Sequence, residues 1–219
     1  MSTSTITLAG NSVSLVAIPG SLKAKIIDFS VSDQVATVVS PYTGQTQTQA
    51  WPGAESWGVT LTLPAMKQSD ADTWTSALME LRGMANAVQL VDPARRKPRG
   101  VATGTPVCNT SGGSGFNAAG TTTLYTRGWT TNVVRLLLPG TNLQIAYRLY
   151  RVLNQVSSDS SGNAVLNIWP SLRETPTDGE AIILTNPAGL FRLAKNQRKW
   201  SLAIGNITTV SSIDLIEYR

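Results

Sequence analysis

Most of the chain alternates apolar and polar residues in period two, the pattern of strands with one buried face. Val59-Thr-Leu-Thr-Leu, Leu143-Gln-Ile-Ala-Tyr and Ala164-Val-Leu-Asn-Ile-Trp are the clearest runs. Clusters of Gly, Pro, Asn and Ser between such runs supply turns, so the pattern predicts an antiparallel, mainly β protein. The turn at Ser158-Asp-Ser-Ser-Gly-Asn is expected to join residues 147–156 to residues 164–169 as a hairpin. Two final strands are read at residues 199–204 and 207–217.

One segment departs from this period. In Ser69-Asp-Ala-Asp-Thr-Trp-Thr-Ser-Ala-Leu-Met-Glu-Leu-Arg-Gly, Ala71, Trp74, Leu78 and Leu81 recur at helical spacing. Ser69 is a natural N-cap, Asp70 and Asp72 suit the positive end of the helix dipole, Arg82 suits the negative end, and Gly83 is a left-handed stop. A single helix over residues 70–82 is expected, with Trp74 turned toward a sheet.

Three polar segments interrupt the strands. Residues 93–106 carry prolines that remove donors and fix φ, and they read as a connector. Asn109-Thr-Ser-Gly-Gly-Ser-Gly-Phe-Asn-Ala-Ala-Gly reads as a mobile hairpin tip or a loop ordered by a neighbour. Thr43-Gly-Gln-Thr-Gln-Thr-Gln, with Gln45, Gln47 and Gln49, is an extended arm with no apolar face, which would gain from pairing with another chain's edge. Trp51 and Trp57 flank a Pro-Gly turn just after it; sheet packing and interface anchoring are both open to them, and they are taken as candidate interface anchors.

The 219 residues suffice for one large β domain or two small ones. We expect a first module of residues 1–104 plus 196–219, containing the helix, with residues 105–195 as an inserted or outer β module. The return of the last strands to the first module rests on the composition break at Ala194-Lys-Asn-Gln-Arg-Lys.

Charged residues are only 14% of the chain, and there is no His. That excludes Ser-His-Asp triads, Cys-His dyads and imidazole metal sites. Cys108, the one cysteine, can form no internal disulfide and no zinc site by itself. Glu174, Asp178 and Glu180 lack the ligand spacing of a calcium loop. Neither a catalytic set, a cofactor nor a metal is expected. The start lacks a signal-peptide pattern and no apolar run is long enough to span a bilayer, so a chain without a membrane role is expected.

Charge is uneven along the sequence. Residues 1–92 hold four basic and seven acidic side chains, residues 93–219 fourteen and six. Halves of opposite sign suit head-to-tail packing of copies. Arg95, Arg96, Lys97 and Arg99 form a basic run that could meet phosphates, but it lacks interleaved aromatics for stacking bases, so it is read as a solvated or subunit-contacting connector.

Several strings point to a family when taken in order. Ser40-Pro-Tyr-Thr-Gly-Gln-Thr-Gln, Trp51-Pro-Gly, Leu63-Pro-Ala-Met-Lys-Gln-Ser-Asp-Ala-Asp-Thr-Trp, Leu81-Arg-Gly, Asp92-Pro and Pro98-Arg-Gly come first. Leu149-Tyr-Arg-Val-Leu, Ser158-Asp-Ser-Ser-Gly-Asn-Ala, Ile168-Trp-Pro-Ser-Leu-Arg, Pro176-Thr-Asp-Gly and Asn186-Pro-Ala-Gly-Leu-Phe-Arg-Leu follow. Over residues 35–217 the set resembles distal tail proteins of bacteriophages with long noncontractile tails.

The resemblance implies a virion structural protein, assembled in the host cytoplasm, that forms a homo-hexameric ring joining the tail tube to the tip hub or fibre complex. It implies a ring-forming β-sandwich with one helix and an outer β-barrel or sandwich module. The tube protein and the hub or fibre protein are the implied partners, the tape measure protein a further candidate, and DNA passes only in transit. A carbohydrate-binding β module using Trp faces is the first alternative reading of the chain, and a DNA-binding β protein the second.

Overall fold

A computed structural model describes residues 3–8, 11–19, 24–112 and 116–219. The chain is mainly β, with one α-helix among the described residues. Its first strands are β1 (Thr3–Leu8), β2 (Asn11–Val16), β3 (Ile26–Ser32), β4 (Val35–Val39), β5 (Thr46–Ala50), β6 (Ser56–Thr62) and β7 (Met66–Lys67). Helix α1 (Gln68–Glu80) is followed by β8 (Val88–Val91), β9 (Gly104–Cys108), β10 (Thr123–Trp129), β11 (Asn142–Ile145), β12 (Arg148–Val152) and β13 (Ala164–Trp169). The last strands are β14 (Ile182–Ile183), β15 (Ala188–Leu193), β16 (Trp200–Ala203), β17 (Ile207–Val210) and β18 (Ile213–Glu217).

The chain divides into two compact units. Unit 1 comprises residues 1–32, 56–90 and 190–219, and unit 2 residues 33–55 and 91–189. This differs from the sequence expectation in three ways, the first being that the chain returns to unit 1 at residue 190 rather than 196, because β15 pairs with β18. Residues 33–55 group with the second unit, because their turn is bonded to Ser171 and Arg173. The connector also leaves the first unit at residue 91 rather than 104, because Asp92, Arg95 and Arg99 are bonded into the 139–142 turn and β12.

In unit 1 a five-stranded sheet runs in the order β3-β6-β18-β15-β8. Its central strands alternate as the sequence pattern requires: Trp57, Val59 and Leu61 of β6 are buried, as are Ile213 and Leu215 of β18. The expected final strand over residues 207–217 is two strands. Ser211 and Ser212 break it, so β17 joins the three-stranded sheet β16-β17-β7 while β18 pairs with β6.

Ala71, Trp74, Ala77 and Leu78 of α1 are buried, and a small apolar cavity lined by Trp74, Leu78, Leu61, Val88 and Leu215 marks where helix meets sheet. The ends of the helix differ from expectation. It starts at Gln68 with Lys67 as cap and no side-chain cap bond, and Ser69 lies inside it, where its carbonyl accepts from Thr73 Oγ1 at 3.0 Å. Asp70 alone is in the first turn, and Arg82 lies past the last turn at φ 47°. Gly83 follows at φ +68°, and a Cβ there would come 2.6 Å from Asn196 Oδ1, which accepts from Met84 N. Gly83 is therefore favoured for its conformation, and a side chain there would also displace the Asn196 amide from Met84 N.

In unit 2 six strands run in the order β14-β11-β12-β13-β10-β9. The two ends approach each other: Val107 bridges to Ala181, and Cys108 N donates to Glu180 O at 2.8 Å. The result is a nearly closed barrel around Leu124, Leu136, Leu143, Val152, Leu166 and Ile168. Closure removes sheet edges that would otherwise need protection.

Two polar segments prove structured. Pro106, expected in an irregular connector, sits in β9, where the partner strand shifts register between Arg127 and Trp129. In the Gly/Ser-rich loop, Asn117 is fully buried; its Nδ2 donates to Asn109 O and Tyr125 O while its Oδ1 accepts from Tyr125 N at 2.7 Å. That side chain pins the described part of the loop to β10. Residues 113–115 lie outside the described residues.

The opposite-sign halves do not survive folding. Unit 1 holds nine basic and six acidic residues, unit 2 nine and seven, because the chain's last thirty residues return to unit 1 with five cations.

Cys108 is fully buried; desolvation first, then the nearby Glu180 and Asp178 carboxylates, push its thiol up to about 12. It will resist maleimides at neutral pH in the native protein and react at the rate of barrel opening in denaturant. Leu166→Ala removes a fully buried barrel side chain and will destabilise unit 2 by about 2–5 kcal/mol in denaturant unfolding. Deleting residues 199–219 removes β18 from the middle of the unit 1 sheet and will abolish that unit's cooperative unfolding transition.

Candidate functional interface

Residues 34–54 contain no charged side chain. Within them β4 and β5 form a hairpin in register Val35↔Ala50 to Val39↔Thr46, joined to no other strand among the described residues. The polar arm read in the sequence is thus paired with a strand of its own chain, and the ribbon still has two open edges. Every residue from Val35 to Ala50 except Ala36 and Ser40 is exposed. Val38 is 67% exposed, Val39 58% and Tyr42, at the tip, 96%.

Ser40 N donates to Gln45 O at 2.9 Å, which makes these two a hydrogen-bonded pair. Alternation then turns the backbone groups of Val35, Thr37 and Val39 outward on one edge and those of Thr46, Thr48 and Ala50 outward on the other. The side chains of these six share one face, and Ala36, Val38, Gln47 and Gln49 share the other. The edges carry no Lys, no Pro and no inward charge, the devices that normally blunt a free edge.

The root of this arm is held firmly. Trp51-Pro-Gly-Ala is a β-turn closed by Ala54 N donating to Trp51 O at 3.1 Å, with Gly53 at φ +85°, as a type II turn after Pro requires. Gly53 N donates to Ser171 Oγ at 2.8 Å and to Glu55 Oε2 at 3.0 Å, and Ser171 Oγ donates to that same carboxylate at 2.8 Å. Arg173 Nη1 donates to Gly53 O at 2.8 Å and Nη2 to Glu55 O. On the other side of the root, Trp169 Nε1 donates to Asp33 Oδ1 at 2.9 Å.

The Arg173 side chain is 6% exposed and the Glu55 side chain 18%. Burial alone would raise the Glu55 pKa, but the hydrogen bonds from Ser171, its own backbone and Gly53, with the Arg173 charge, outweigh burial and hold the carboxyl below its usual range.

The other candidate residues separate. Gln45, Gln47, Gln49 and Trp51 are all exposed, Trp51 by 47%. Trp57 is a core residue at 1% exposure, edge-to-face with Phe29 at 6.3 Å between ring centroids, so it is no interface anchor. The register of β6 explains this: Trp57 points to the same buried face as Val59 and Leu61.

The basic run is split. Arg95 Nε donates to Gly140 O at 2.9 Å and its Nη1 lies 3.5 Å from the buried Asp92, while Arg99 Nη1 donates to Pro139 O at 3.0 Å. Arg96 and Lys97 are exposed. Glu174 pairs with Arg148, Asp178 with Arg127, and Glu180 accepts from Thr177 N, so these three carboxylates serve separate contacts.

The sequence alone does not bring Asp33, Glu55, Trp169, Ser171 and Arg173 together as one site. Ser171 lies 118 positions from Gly53, and nothing in the local pattern ties the Trp-Pro-Gly turn to the Trp-Pro-Ser-Leu-Arg string, though both strings stand out.

Arg173→Ala leaves the Gly53 and Glu55 carbonyls and the Glu55 carboxylate without their cation, and will destabilise the arm root by about 1–3 kcal/mol, read as faster amide exchange at residues 50–56 with the barrel core unchanged. Because Glu55 is depressed in the folded state, its contribution is present above the ordinary carboxylate range and is lost as pH falls through its folded pKa. Exchange at the root will therefore accelerate on acidification, and Glu55→Gln will flatten that dependence. Comparison with protein-family models and with curated proteins finds no match to this chain.

Proposed function

We propose that this protein is a structural subunit of a bacteriophage tail tip, a distal tail protein whose copies close into a hexameric ring between the tail tube and the tip hub or fibre complex. The observation that carries the reading is the arm: a charge-free two-stranded ribbon with both edges open and its root clamped by a buried arginine. A monomeric enzyme or carrier has no use for such a ribbon, which is an aggregation liability unless another chain covers it. A subunit that adds strands across copies needs it.

The resemblance in the ordered string set supplies the tail context, and two β units without histidine agree with a non-enzymatic role. Assembly proceeds through heterologous contacts, which close when the rotation per copy is about sixty degrees. The tube, the hub or fibre and the tape measure protein are the partners this role implies. The arm is uncharged and the two units have the same sign of charge, so strand pairing and apolar burial provide the affinity, with exposed ion pairs adding up to about 1 kcal/mol each.

Light scattering over a concentration series, with negative-stain images of the same samples, tests the reading. Six-copy rings are expected, with little change as ionic strength rises. A mass of one chain at every concentration overturns self-assembly into a ring, and a sharp loss of mass with salt overturns the uncharged-contact mechanism.

A further inference from the structure

Unit 1 contains a second ribbon, whose outer edge pairs with no other strand among the described residues. β16 is the outer strand of the sheet β16-β17-β7, and all four of its residues are exposed. Trp200, Leu202 and Ile204 recur at every second position, at 43%, 68% and full exposure. Across the ladder from Trp200 and Leu202 stand Val210 and Thr208, which are buried. One apolar face is therefore covered on β17 and bare on β16, as though the sheet lacked its next strand.

The backbone says the same. Ser211 N donates to Lys199 O at 3.1 Å, so the alternation turns the N–H and C=O of Trp200 and Leu202 to the open edge. Residues 200–213 carry no charge.

A lipid surface suits the apolar tip but not the edge, because backbone groups entering hydrocarbon must find partners that lipid cannot give. A β-strand satisfies both the edge and the side chains. The same chain contains a strand of fitting length, neutrality and side-chain character, β4, whose outward edge is Val35, Thr37 and Val39. In a single sheet those side chains would continue the Trp200, Leu202 and Ile204 face.

We infer that β4 of one copy pairs with the open edge of β16 on a second copy, so that each subunit gives a strand to one neighbour and receives one from the other. The inference rests on the assembly reading above and names its donor and acceptor edges. Such a contact is heterologous and runs on from copy to copy until it closes.

The test uses the full chain with cysteines placed on both edges, Val35→Cys or Thr37→Cys combined with Leu202→Cys, so that a two-residue shift in register is still caught. All three positions are exposed and the native Cys108 is buried. Under a short bis-maleimide, a ladder of bands beyond the dimer is expected from the double variants and a single-chain band from each single variant. Leu202→Asp, at an exposed site, is expected to leave circular dichroism unchanged and reduce the scattering mass to one chain.

Rings without a ladder overturn the β4–β16 pairing and leave the assembly reading standing. One-chain mass without a ladder overturns both. Dimers from Thr37→Cys alone place arm against arm and overturn the pairing. Sedimentation with phosphatidylserine vesicles that Leu202→Asp abolishes assigns the ribbon to lipid and overturns it as well.

Discussion

A guanidinium taken out of water must find acceptors on every side, and Arg173 does so by holding the root of the arm. Its donors end on the Gly53 and Glu55 carbonyls, and the Glu55 carboxylate lies 3.7 Å away. Removing one member of such a group leaves a buried charge or carbonyl without its partner, which is more destabilising than the group's net contribution to folding suggests. The arrangement therefore specifies position more than it adds stability. It fixes where the chain turns after β5, and hence where a ribbon joined to no other strand among the described residues begins.

Fixing the root matters because an unpaired ribbon is marginal. Two strands alone are barely stable in water, and a hairpin free at its base would spend much of its time unpaired. A segment ordered in advance loses less entropy when a partner arrives than one that must fold on contact. The stiff Trp51-Pro52-Gly53 turn and the Trp169–Asp33 bond act together in that sense.

Much of the architecture was legible along the chain because it is written in local periods. β6 and β13 follow the period-two runs, and Ala71, Trp74 and Leu78 give α1 its buried stripe. What escaped was whatever depends on residues distant in sequence. Ser69 looks like a cap, yet Met66 and Lys67 pair with β17 and carry the chain straight into the helix. Pro106 looks like a strand breaker, yet the irregular register opposite it on β10 accommodates it. Asn117 lies in a low-complexity stretch and is nonetheless the polar centre that orders it. In the arm the uncharged pattern is visible at once, while the turn from Trp51 to Trp57 leaves one ring about half exposed and makes the other core. No pattern local to those seven residues distinguishes the two.

Ser32 and Ser56 stand opposite each other at the end of the β3–β6 ladder. Everything between them leaves and re-enters the sheet through one cross-strand pair, and the register from Val31↔Trp57 onward takes no account of what lies beyond. Between Asp33 and Gly53, each bonded within unit 2, the ribbon can lengthen or shorten while the β3–β6 ladder keeps its hydrogen bonds, since closing a loop grows only slowly less favourable with length. The ladder and the ribbon are thus free to diverge at different rates, and related chains can differ most in the segment between these two serines.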